Sequence, residues 1–235
     1  MTYVKLNSEG EKLNISRKTL ANMIDSTNIK PAATKSEIEN LCREAVRYHF
    51  GCVCVNPVYV KLASTILKGR KTKVCSTVGF PFGASLMEIK ALEAFKAVED
   101  GAKELDMVIN LSLLKSRDYN TAKRDIAAVT DVKKLSKEIV VKVIIETGLL
   151  KNDEKIIACK LAREAGADFV KTSTGFFDKG ATVKDVKLMR KTVGPNMGVK
   201  AAGGIKTYAD AFKMIKAGAN RIGTSSAAAI IKGMF

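Results

Sequence analysis

The chain has 235 residues, of which 46% are hydrophobic and 27% are charged, and its formal net charge is +16 at pH 7. This composition excludes a disordered chain, and no apolar run approaches the roughly 20 residues that a membrane-spanning helix requires. The lysines are spread along the chain without a basic block that contains aromatic residues, so we expect a surface that attracts anionic substrates and no nucleic-acid partner.

Short runs rich in β-branched residues alternate along the chain with longer amphipathic stretches. The predicted strands cover residues 24–26, 51–55, 73–78, 104–109, 140–146, 168–172, 198–202 and 220–223. The predicted helices between them cover residues 36–50, 56–68, 88–100, 119–136, 153–165, 182–192 and 208–217. Gly101, Gly166 and Gly218 each follow one of these helices and precede an alanine, and glycine suits the C-terminal end of a helix.

Strict alternation of strands and helices predicts a parallel sheet, because parallel neighbours require a crossover connection. Eight such units in a chain of this length indicate an α/β fold, a single-domain (β/α)8 TIM barrel over residues 1–235 with a short N-terminal helical extension. An open doubly wound sheet is the alternative. The absence of a G-x-G-x-x-G motif after the first strand weakens that alternative.

Charged residues fall on the barrel-facing side of several predicted strands. In the strand 104–109, Leu105 and Met107 share the face that packs under the helices, so Asp106 points into the barrel. The residues that this alternation sends inside are Asp106, Lys142, Glu146, Lys171 and Lys200. A satisfied ion cluster is one interpretation, but buried charges are costly and a core selected for stability would contain Val, Ile or Leu there.

Neighbouring buried lysines have a chemical use. A free lysine has a pKa of about 10.4, and burial and a nearby cation both lower it towards the neutral amine that forms a Schiff base with a carbonyl group. We expect Lys171 to be the nucleophile, because the hydroxyl run that ends at Thr174 can position water and substrate oxygens. Lys200 then lowers the pKa of the nucleophile, and Asp106 transfers protons. The reverse assignment of the two lysines stays open.

The loops after the seventh and eighth strands of barrel enzymes often bind phosphate. In the seventh loop, Gly203 and Gly204 let backbone amides approach an anion closely. In the eighth region, Gly223 is followed by Ser225 and Ser226, either of which can cap a helix that begins at residue 227. Glycines and serines at both loops together predict a phosphate site, and therefore a phosphorylated substrate.

His49 is the single histidine, and its position late in the helix 36–50 indicates a surface or capping role. One histidine argues against a Ser-His-Asp triad and against zinc-dependent aldol chemistry that uses several histidine ligands. No acids and histidines have metal-ligand spacing, so we expect no metal.

The five cysteines are odd in number and include no C-x-x-C motif, which is typical of reduced thiols. Cys52 and Cys54 lie on one face of a predicted strand, which suits core packing. The N-terminal stretch MTYVKLNSEGEKLN is polar and lacks the apolar segment of a secretory signal. We therefore expect a cytoplasmic protein.

A series of motifs along residues 20–233 resembles the deoxyribose-phosphate aldolase family. The motifs are Val53-Cys54-Val55-Asn56-Pro57, Val78-Gly79-Phe80-Pro81, Glu104-Leu105-Asp106-Met107-Val108-Ile109-Asn110, Lys142-Val143-Ile144-Ile145-Glu146-Thr147, Phe169-Val170-Lys171-Thr172-Ser173-Thr174-Gly175-Phe176, Lys200-Ala201-Ala202-Gly203-Gly204-Ile205 and Gly223-Thr224-Ser225-Ser226. Several motifs in one order are far more specific than any one of them. The resemblance implies a class I, Schiff-base-forming aldolase on a (β/α)8 barrel.

The resemblance also implies a reaction, the reversible cleavage of 2-deoxy-D-ribose 5-phosphate to glyceraldehyde 3-phosphate and acetaldehyde. Lys171 would form the imine, and Asp106 with Lys200 and a water would remove the proton of the C3 hydroxyl. The C2–C3 bond then breaks, because the iminium accepts its electrons as an enamine. No cofactor takes part in this mechanism. We expect the protein to be a homodimer, since small homo-oligomers are common.

The chain departs from the family pattern at Ser26, where family members have histidine, and it ends without the longer tail that some members carry. Two other functions fit the same residues. One is another class I sugar-phosphate aldolase or a transaldolase-like enzyme, which only substrate trials separate. The other is that of a non-enzymatic barrel that binds phosphate or nucleic acid. This second function does not explain why the lysines face into the barrel.

Overall fold

The structure is a computed structural model of the chain and describes residues 15–234. Within these residues the strands are β1 (Ile24–Asn28), β2 (Cys52–Val55), β3 (Lys73–Val78), β4 (Glu104–Val108), β5 (Val140–Ile144), β6 (Phe169–Lys171), β7 (Gly198–Ala202) and β8 (Arg221–Thr224). The α-helices are α1 (Arg17–Met23), α2 (Lys35–Tyr48), α3 (Val60–Ile66), α4 (Met87–Glu99), α5 (Leu111–Lys115), α6 (Tyr119–Thr130), α7 (Asn152–Glu164), α8 (Val183–Val193), α9 (Tyr208–Lys216) and α10 (Ala227–Lys232). Single 3-10 turns cover Pro57–Tyr59, Asp131–Lys134 and Thr147–Leu149.

The strands form a closed parallel barrel in chain order, and β1 pairs with β8 to complete it. The predicted (β/α)8 barrel is therefore confirmed, and the open doubly wound sheet is wrong. The short helix α1 precedes the first strand and corresponds to the predicted N-terminal helical extension. The domain prediction of residues 1–235 includes residues 1–14 and 235, which lie outside the described residues, so those limits stay a prediction.

The predicted strands agree with the observed ones to within two residues at each end, and β3 and β7 agree at both ends. The predicted helix 56–68 is a 3-10 turn followed by the shorter α3, since Pro57 begins that turn. The sequence analysis missed α5, a five-residue helix capped by Asn110, whose side chain accepts a hydrogen bond from the Leu113 amide. Such a short helix has too little apolar periodicity to be recognised.

Local capping residues set several helix ends. The Thr34 side chain accepts from the Glu37 amide and the Glu37 carboxylate accepts from the Thr34 amide, which forms a capping box at the start of α2. His49 ends the same helix in the left-handed conformation (φ 59°) and is exposed, so its predicted capping role is confirmed. Gly101 and Gly218 also have positive φ just after their helices, as predicted.

The two faces of each strand have different neighbours. On β4, Leu105 and Met107 are buried in the apolar layer between the barrel and the helices, while Glu104 and Asp106 point into the barrel. The barrel interior therefore holds a charged layer inside an apolar shell. None of the helices within residues 15–234 combines the length and the apolar character that crossing a membrane requires.

Candidate active site

The register of the sheet brings the predicted inward-facing residues to similar heights in the barrel. Asp106 on β4 pairs with Lys142 on β5, and Lys171 on β6 pairs with Lys200 on β7. All four side chains are buried, and Asp106, Lys142 and Lys200 have no exposed surface. The prediction that these residues converge in the barrel is confirmed.

Asp106 lies at the centre of the site. Its Oδ2 accepts hydrogen bonds from the Nζ atoms of Lys171 and Lys200, both at 2.7 Å, and its Oδ1 accepts one from Lys142 at 2.9 Å. A carboxylate has about four lone-pair positions, so three ammonium donors fix its orientation. Lys171 and Lys200 therefore lie close together, on one oxygen atom.

A second layer of charges lies beneath Asp106 and was missed by the sequence analysis. Asp25 accepts from Lys200 and lies 2.9 Å from the Arg221 side chain. Glu104 contacts Arg221 and Lys142, both at 2.7 Å. Strand alternation contains the missing signal, since Asp25 follows the outward-facing Ile24 and Glu104 precedes Leu105.

The lysines keep the carboxylates ionised. Burial by itself raises the pKa of Asp106, but Lys142, Lys171 and Lys200 outweigh it and hold that pKa well below its usual range. Burial likewise opposes ionisation of Asp25, and Arg221 with two of the lysines lowers its pKa to about 2. Both groups are therefore carboxylates at neutral pH.

The carboxylates in turn keep two of the lysines charged. Burial lowers the pKa of Lys200, but Asp106 and Asp25 reverse the effect and raise it above its ordinary value. The pKa of Lys142 is also raised, because Asp106 and other nearby anions outweigh its burial. Lys200 and Lys142 are permanent cations beside Lys171.

A cavity of about 640 Å³ opens at the carboxyl ends of the strands. Lys171 lines it, whereas Asp106, Lys142 and Lys200 lie below its floor. A larger groove of about 1170 Å³ at the opposite end of the barrel is lined by basic residues such as Lys18 and contains none of the inward-facing set. The smaller cavity is therefore the one that reaches Lys171. Its position agrees with that of barrel active sites, which lie at the carboxyl ends of the strands.

Thr174 lines the same cavity and is held by Glu146. The Glu146 Oε2 atom accepts from the Thr174 amide at 2.9 Å and from its hydroxyl at 2.6 Å. Glu146 is fully buried, as predicted, but it lies above the charged layer and adopts a left-handed conformation (φ 52°). Its position fixes the loop that follows β6.

The residues predicted to bind phosphate divide into two groups. Gly203, Gly204, Gly223 and Ser225 line the cavity. Ser226 does not line it. The exposed Lys206 also lines the cavity and was missed, because a lysine at a loop end has no distinctive sequence signal.

The predicted capping role of the two serines is wrong. Ser226 occupies the N-cap position of α10, but its side chain makes no capping hydrogen bond. Its backbone has ψ 32° instead of the extended value of a capping residue, and its amide donates to the Thr224 hydroxyl at 2.9 Å. The side chain of Ser226 therefore does not cap α10.

Three thiols complete the interior of the barrel. Cys52, Cys54 and Cys75 pack together, with no exposed surface. The Cys75 sulfur lies 3.2 Å from Asp106 Oδ1 and 3.5 Å from Lys142 Nζ. Cys52 and Cys54 are core residues, as predicted, but they belong to the charged layer and not to the apolar shell.

Two sets of buried donor atoms have the proximity of metal ligands within residues 15–234. They are Cys54, Cys75 and Asp106, and Asp25, Cys52 and Glu104. Each set already borders ammonium or guanidinium groups, which repel a divalent cation. The absence of a metal stays a prediction that this charge distribution favours.

The departure from the family pattern at Ser26 lies outside the cavity. Ser26 is buried on β1 and does not line the cavity, whereas the neighbouring Thr27 does. The C-terminal residue Phe235 lies outside the described residues, so no tail contact is assigned.

The sequence pattern of the DeoC/LacD family aldolases matches residues 19–233. The deoxyribose-phosphate aldolase of Thermococcus gammatolerans is 61% identical to this chain over 216 residues, which cover 91% of this chain and 96% of that protein. The deoxyribose-phosphate aldolase of Clostridium perfringens is 55% identical over 217 residues, or 92% of this chain and 96% of that protein.

A solved structure, the deoxyribose phosphate aldolase from Aeropyrum pernix, superimposes with a TM-score of 0.86 at 40% identity. The superposition covers 92% of this chain and 91% of that one, which is described as having a unique tetrameric structure. The barrel, the lysine cluster around one carboxylate and these matches lead to one conclusion: the chain belongs to the DeoC/LacD family of aldolases.

Proposed function

We propose that this chain is a deoxyribose-phosphate aldolase, which reversibly cleaves 2-deoxy-D-ribose 5-phosphate to D-glyceraldehyde 3-phosphate and acetaldehyde through a lysine Schiff base. The observation that carries the proposal is the position of Lys171, whose Nζ contacts Asp106 while the residue lines the cavity. The relatives at 61% and 55% identity, both named deoxyribose-phosphate aldolase, support the substrate.

Lys171 is the nucleophile in this proposal. Substrate in the cavity reaches Lys171, whereas Lys200 and Lys142 are fully buried and held as ammonium groups by their carboxylate partners. Lys171 is therefore the amine that an aldehyde in the cavity can meet. This difference in access supports the assignment that the sequence left open between Lys171 and Lys200.

Asp106 moves protons and does not store them. Its pKa is held well below the usual range, so a proton taken from the C3 hydroxyl of the substrate passes on quickly to water, while Lys200 stays an ammonium group. As that proton leaves, the C2–C3 bond breaks and its electrons enter the iminium to form an enamine. Protonation of the enamine at C2 and hydrolysis release acetaldehyde and regenerate Lys171.

The phosphate group binds at the far side of the cavity. Gly203 and Gly204 have φ values of 91° and 75°, a conformation that favours glycine and exposes backbone amides to an anion. Ser225 and the ammonium group of Lys206 supply further donors. Thr174, fixed by Glu146, contacts a substrate oxygen nearer to Lys171.

Borohydride trapping tests this function. Incubation with 2-deoxyribose 5-phosphate and borohydride is expected to give a stable adduct on Lys171, found by peptide mass mapping, and the adduct is lost in Lys171→Leu. An adduct on Lys200 reverses the two roles. If a folded protein gives no adduct at all, imine catalysis is rejected. Parallel assays with other phosphorylated aldoses and ketoses separate this activity from that of another class I aldolase.

A homodimer is the proposed assembly. Helix α4 and the residue before it expose large apolar side chains, Leu86, Ile89, Leu92 and Phe95, at 44–72% of their surface. Apolar patches of this kind often mark contacts with a second copy. Ile89→Asp should reduce the mass measured by light scattering to that of one chain, while Val58→Asp, at another exposed apolar site, should not. A wild-type mass of a single chain contradicts the dimer.

We also propose a cytoplasmic location. The five cysteines all lie within the described residues, and each is buried and free of disulfide bonds. Reduced thiols are typical of that compartment. Fractionation of the cells that make the protein tests this location.

A further inference from the structure

Arg221 lies at the amino end of β8, beneath Asp106, and the proposed reaction gives it no role. Its side chain is 17% exposed and does not line the cavity that reaches Lys171. The Nε atom lies 2.9 Å from Asp25 Oδ1, and the Nη2 atom donates to Glu104 Oε2 at 2.7 Å. One guanidinium group therefore connects β8 to carboxylates on β1 and β4.

The two carboxylates that Arg221 contacts repel each other. An oxygen of Asp25 and an oxygen of Glu104 lie within 4.8 Å of each other, and both side chains are buried. Burial and the Asp25 charge raise the pKa of Glu104, but Lys142 and Arg221 outweigh them and lower it. Lys142 contacts Glu104 at 2.7 Å but lies 3.9 Å from Asp25, so Arg221 is the cation that approaches both carboxylates closely.

The Asp25 carboxylate connects Arg221 to Lys200. Its Oδ2 atom accepts a hydrogen bond from the Lys200 ammonium group, while its Oδ1 atom faces Arg221. Lys200 also donates to Asp106 Oδ2 at 2.7 Å, and the same oxygen accepts from Lys171. Two carboxylates therefore set the position of the Lys200 ammonium group, and Arg221 holds one of them from its other side.

The Glu104 carboxylate makes a second connection. It contacts Arg221 and Lys142, both at 2.7 Å, and Lys142 donates to Asp106 Oδ1 at 2.9 Å. Arg221 thus acts on each oxygen of Asp106 through one carboxylate and one lysine. A planar guanidinium group has its N–H donors in a fixed fork, so it holds two carboxylates in a defined geometry, which the single charged nitrogen of a lysine does not.

We propose that Arg221 is a positioning residue for the cleavage reaction, which acts on the site through Asp25 and Glu104. These contacts keep the Lys200 ammonium group on Asp106. The inference rests on the proposed aldolase function. Because Arg221 does not line the cavity, its loss should lower kcat and leave KM nearly unchanged.

Arg221 is accessible from the opposite end of the barrel. Gly51 lines the groove of about 1170 Å³ at that end. A Cβ atom placed on Gly51 would lie 3.3 Å from the Nη1 atom of Arg221. Removal of the arginine side chain beyond Cβ therefore opens a path from the groove to the two carboxylates, and a guanidinium ion from solution can take its place.

Arg221→Ala tests the kinetic role with 2-deoxyribose 5-phosphate as substrate. We expect kcat to fall at least about 10-fold and KM to stay within about twofold of the wild-type value. Guanidinium chloride at a non-denaturing millimolar concentration should raise the kcat of this variant at least about threefold, whereas sodium chloride at the same ionic strength should not. A wild-type kcat in folded Arg221→Ala overturns the proposal.

Lys155→Met is the matched control, because it breaks a buried ion pair outside the barrel. Lys155 on α7 pairs with Asp185 on α8, and both residues are buried. This variant should keep the wild-type kcat and should not respond to guanidinium. Equal losses of kcat in Arg221→Ala and Lys155→Met would reflect a general loss of stability and would overturn the positioning role.

Arg221→Lys keeps the positive charge and tests the proposal even if Arg221→Ala does not fold. Because its single nitrogen lacks the fork, kcat should lie below the wild-type value by at least about twofold and above that of Arg221→Ala. A wild-type kcat in Arg221→Lys contradicts the guanidinium bridge. A loss in Arg221→Ala that neither guanidinium nor lysine recovers in part indicates a purely structural role and also overturns the proposal.

Crystal structures of the two Arg221 variants supply a readout that needs no substrate. The Lys200 Nζ atom, 2.7 Å from Asp106 Oδ2 in the wild type, should move beyond hydrogen-bond distance of that oxygen. An unchanged contact overturns the positioning role, even if cleavage by the wild type is confirmed. A missing borohydride adduct in the wild type, with the displacement present in the variants, rejects the aldolase function and leaves the positioning of Lys200 by Arg221 standing.

Discussion

Each lysine that contacts Asp106 experiences a different environment. Lys142 and Lys200 each contact a second carboxylate, Glu104 and Asp25 respectively, whereas Lys171 forms an ion pair only with Asp106 among residues 15–234. A lysine with two anionic partners holds its proton more firmly than a lysine with one. Lys171, the proposed nucleophile, is therefore the lysine that has one carboxylate partner and also lines the cavity.

Lys200→Leu tests this arrangement at the residue scale. The variant removes the cation that shares the Asp106 Oδ2 atom with Lys171, so the rate optimum should move to higher pH and kcat should fall roughly 100-fold to 10,000-fold. The measurement is kcat and kcat/KM against pH, with circular dichroism to confirm that the variant is folded. An optimum at the wild-type pH contradicts the role of Lys200 as the neighbouring cation.

At the scale of elements, a buried ion pair joins α4 to α6 outside the barrel. The Lys90 ammonium on α4 donates to Asp125 on α6 at 2.7 Å and to the Val108 carbonyl of β4 at 3.1 Å. Neither side chain is more than 2% exposed. The pair therefore connects two helices to the end of the strand that carries Asp106.

Lys90→Met should destabilise the protein by about 3 to 5 kcal/mol, because it leaves the Asp125 carboxylate buried without its partner. Urea denaturation followed by circular dichroism measures the change. The double variant Lys90→Met/Asp125→Leu should recover most of the loss. Lys96→Met, which removes an exposed ion pair with Glu99 on the same helix, is the matched control and should leave stability unchanged. Equal losses for Lys90→Met and Lys96→Met would contradict the buried pair.

At the scale of the whole molecule, the charged layer couples folding to pH. The Asp25 pKa falls from 3.8 to about 2 on folding, because Arg221 and the lysines overcome its burial. Below pH 3.8 the unfolded chain binds a proton at Asp25 that the folded chain does not, so stability decreases as pH falls. The contribution is fully present above pH 4 and is lost by about pH 2.

The contribution of Asp25 to the free energy of unfolding should be nearly constant from pH 7 to pH 4. Between pH 4 and pH 2 this contribution should fall by about 2 kcal/mol. Urea denaturation at a series of pH values measures the slope. Asp25→Asn is the comparison variant, since it lacks the carboxylate and should show a smaller slope over this interval. Equal slopes for the variant and the wild type would show that Asp25 is not the coupled group.

Strand alternation determined much of the site in advance. A period of two is a local property, so Leu105 and Met107 were enough to send Asp106 inward, and the same logic placed Lys171 and Lys200. The same rule applied to Ile24 would have found Asp25. Short helices and caps were less predictable, as Ser226 shows, because their conformation depends on a few contacts with neighbouring loops.

The sequence by itself determined the eight alternating units, the inward faces of the strands and the family, because each depends on residue order and local period. Only the tertiary structure decided which charges meet. Closure of β8 onto β1 brings Asp25 to Lys200 and Arg221, across a separation of 175 residues in the case of Lys200. The tertiary structure also decides that Lys171 lines the cavity and Lys200 does not, because residue order gives only the face of the strand on which each lysine lies.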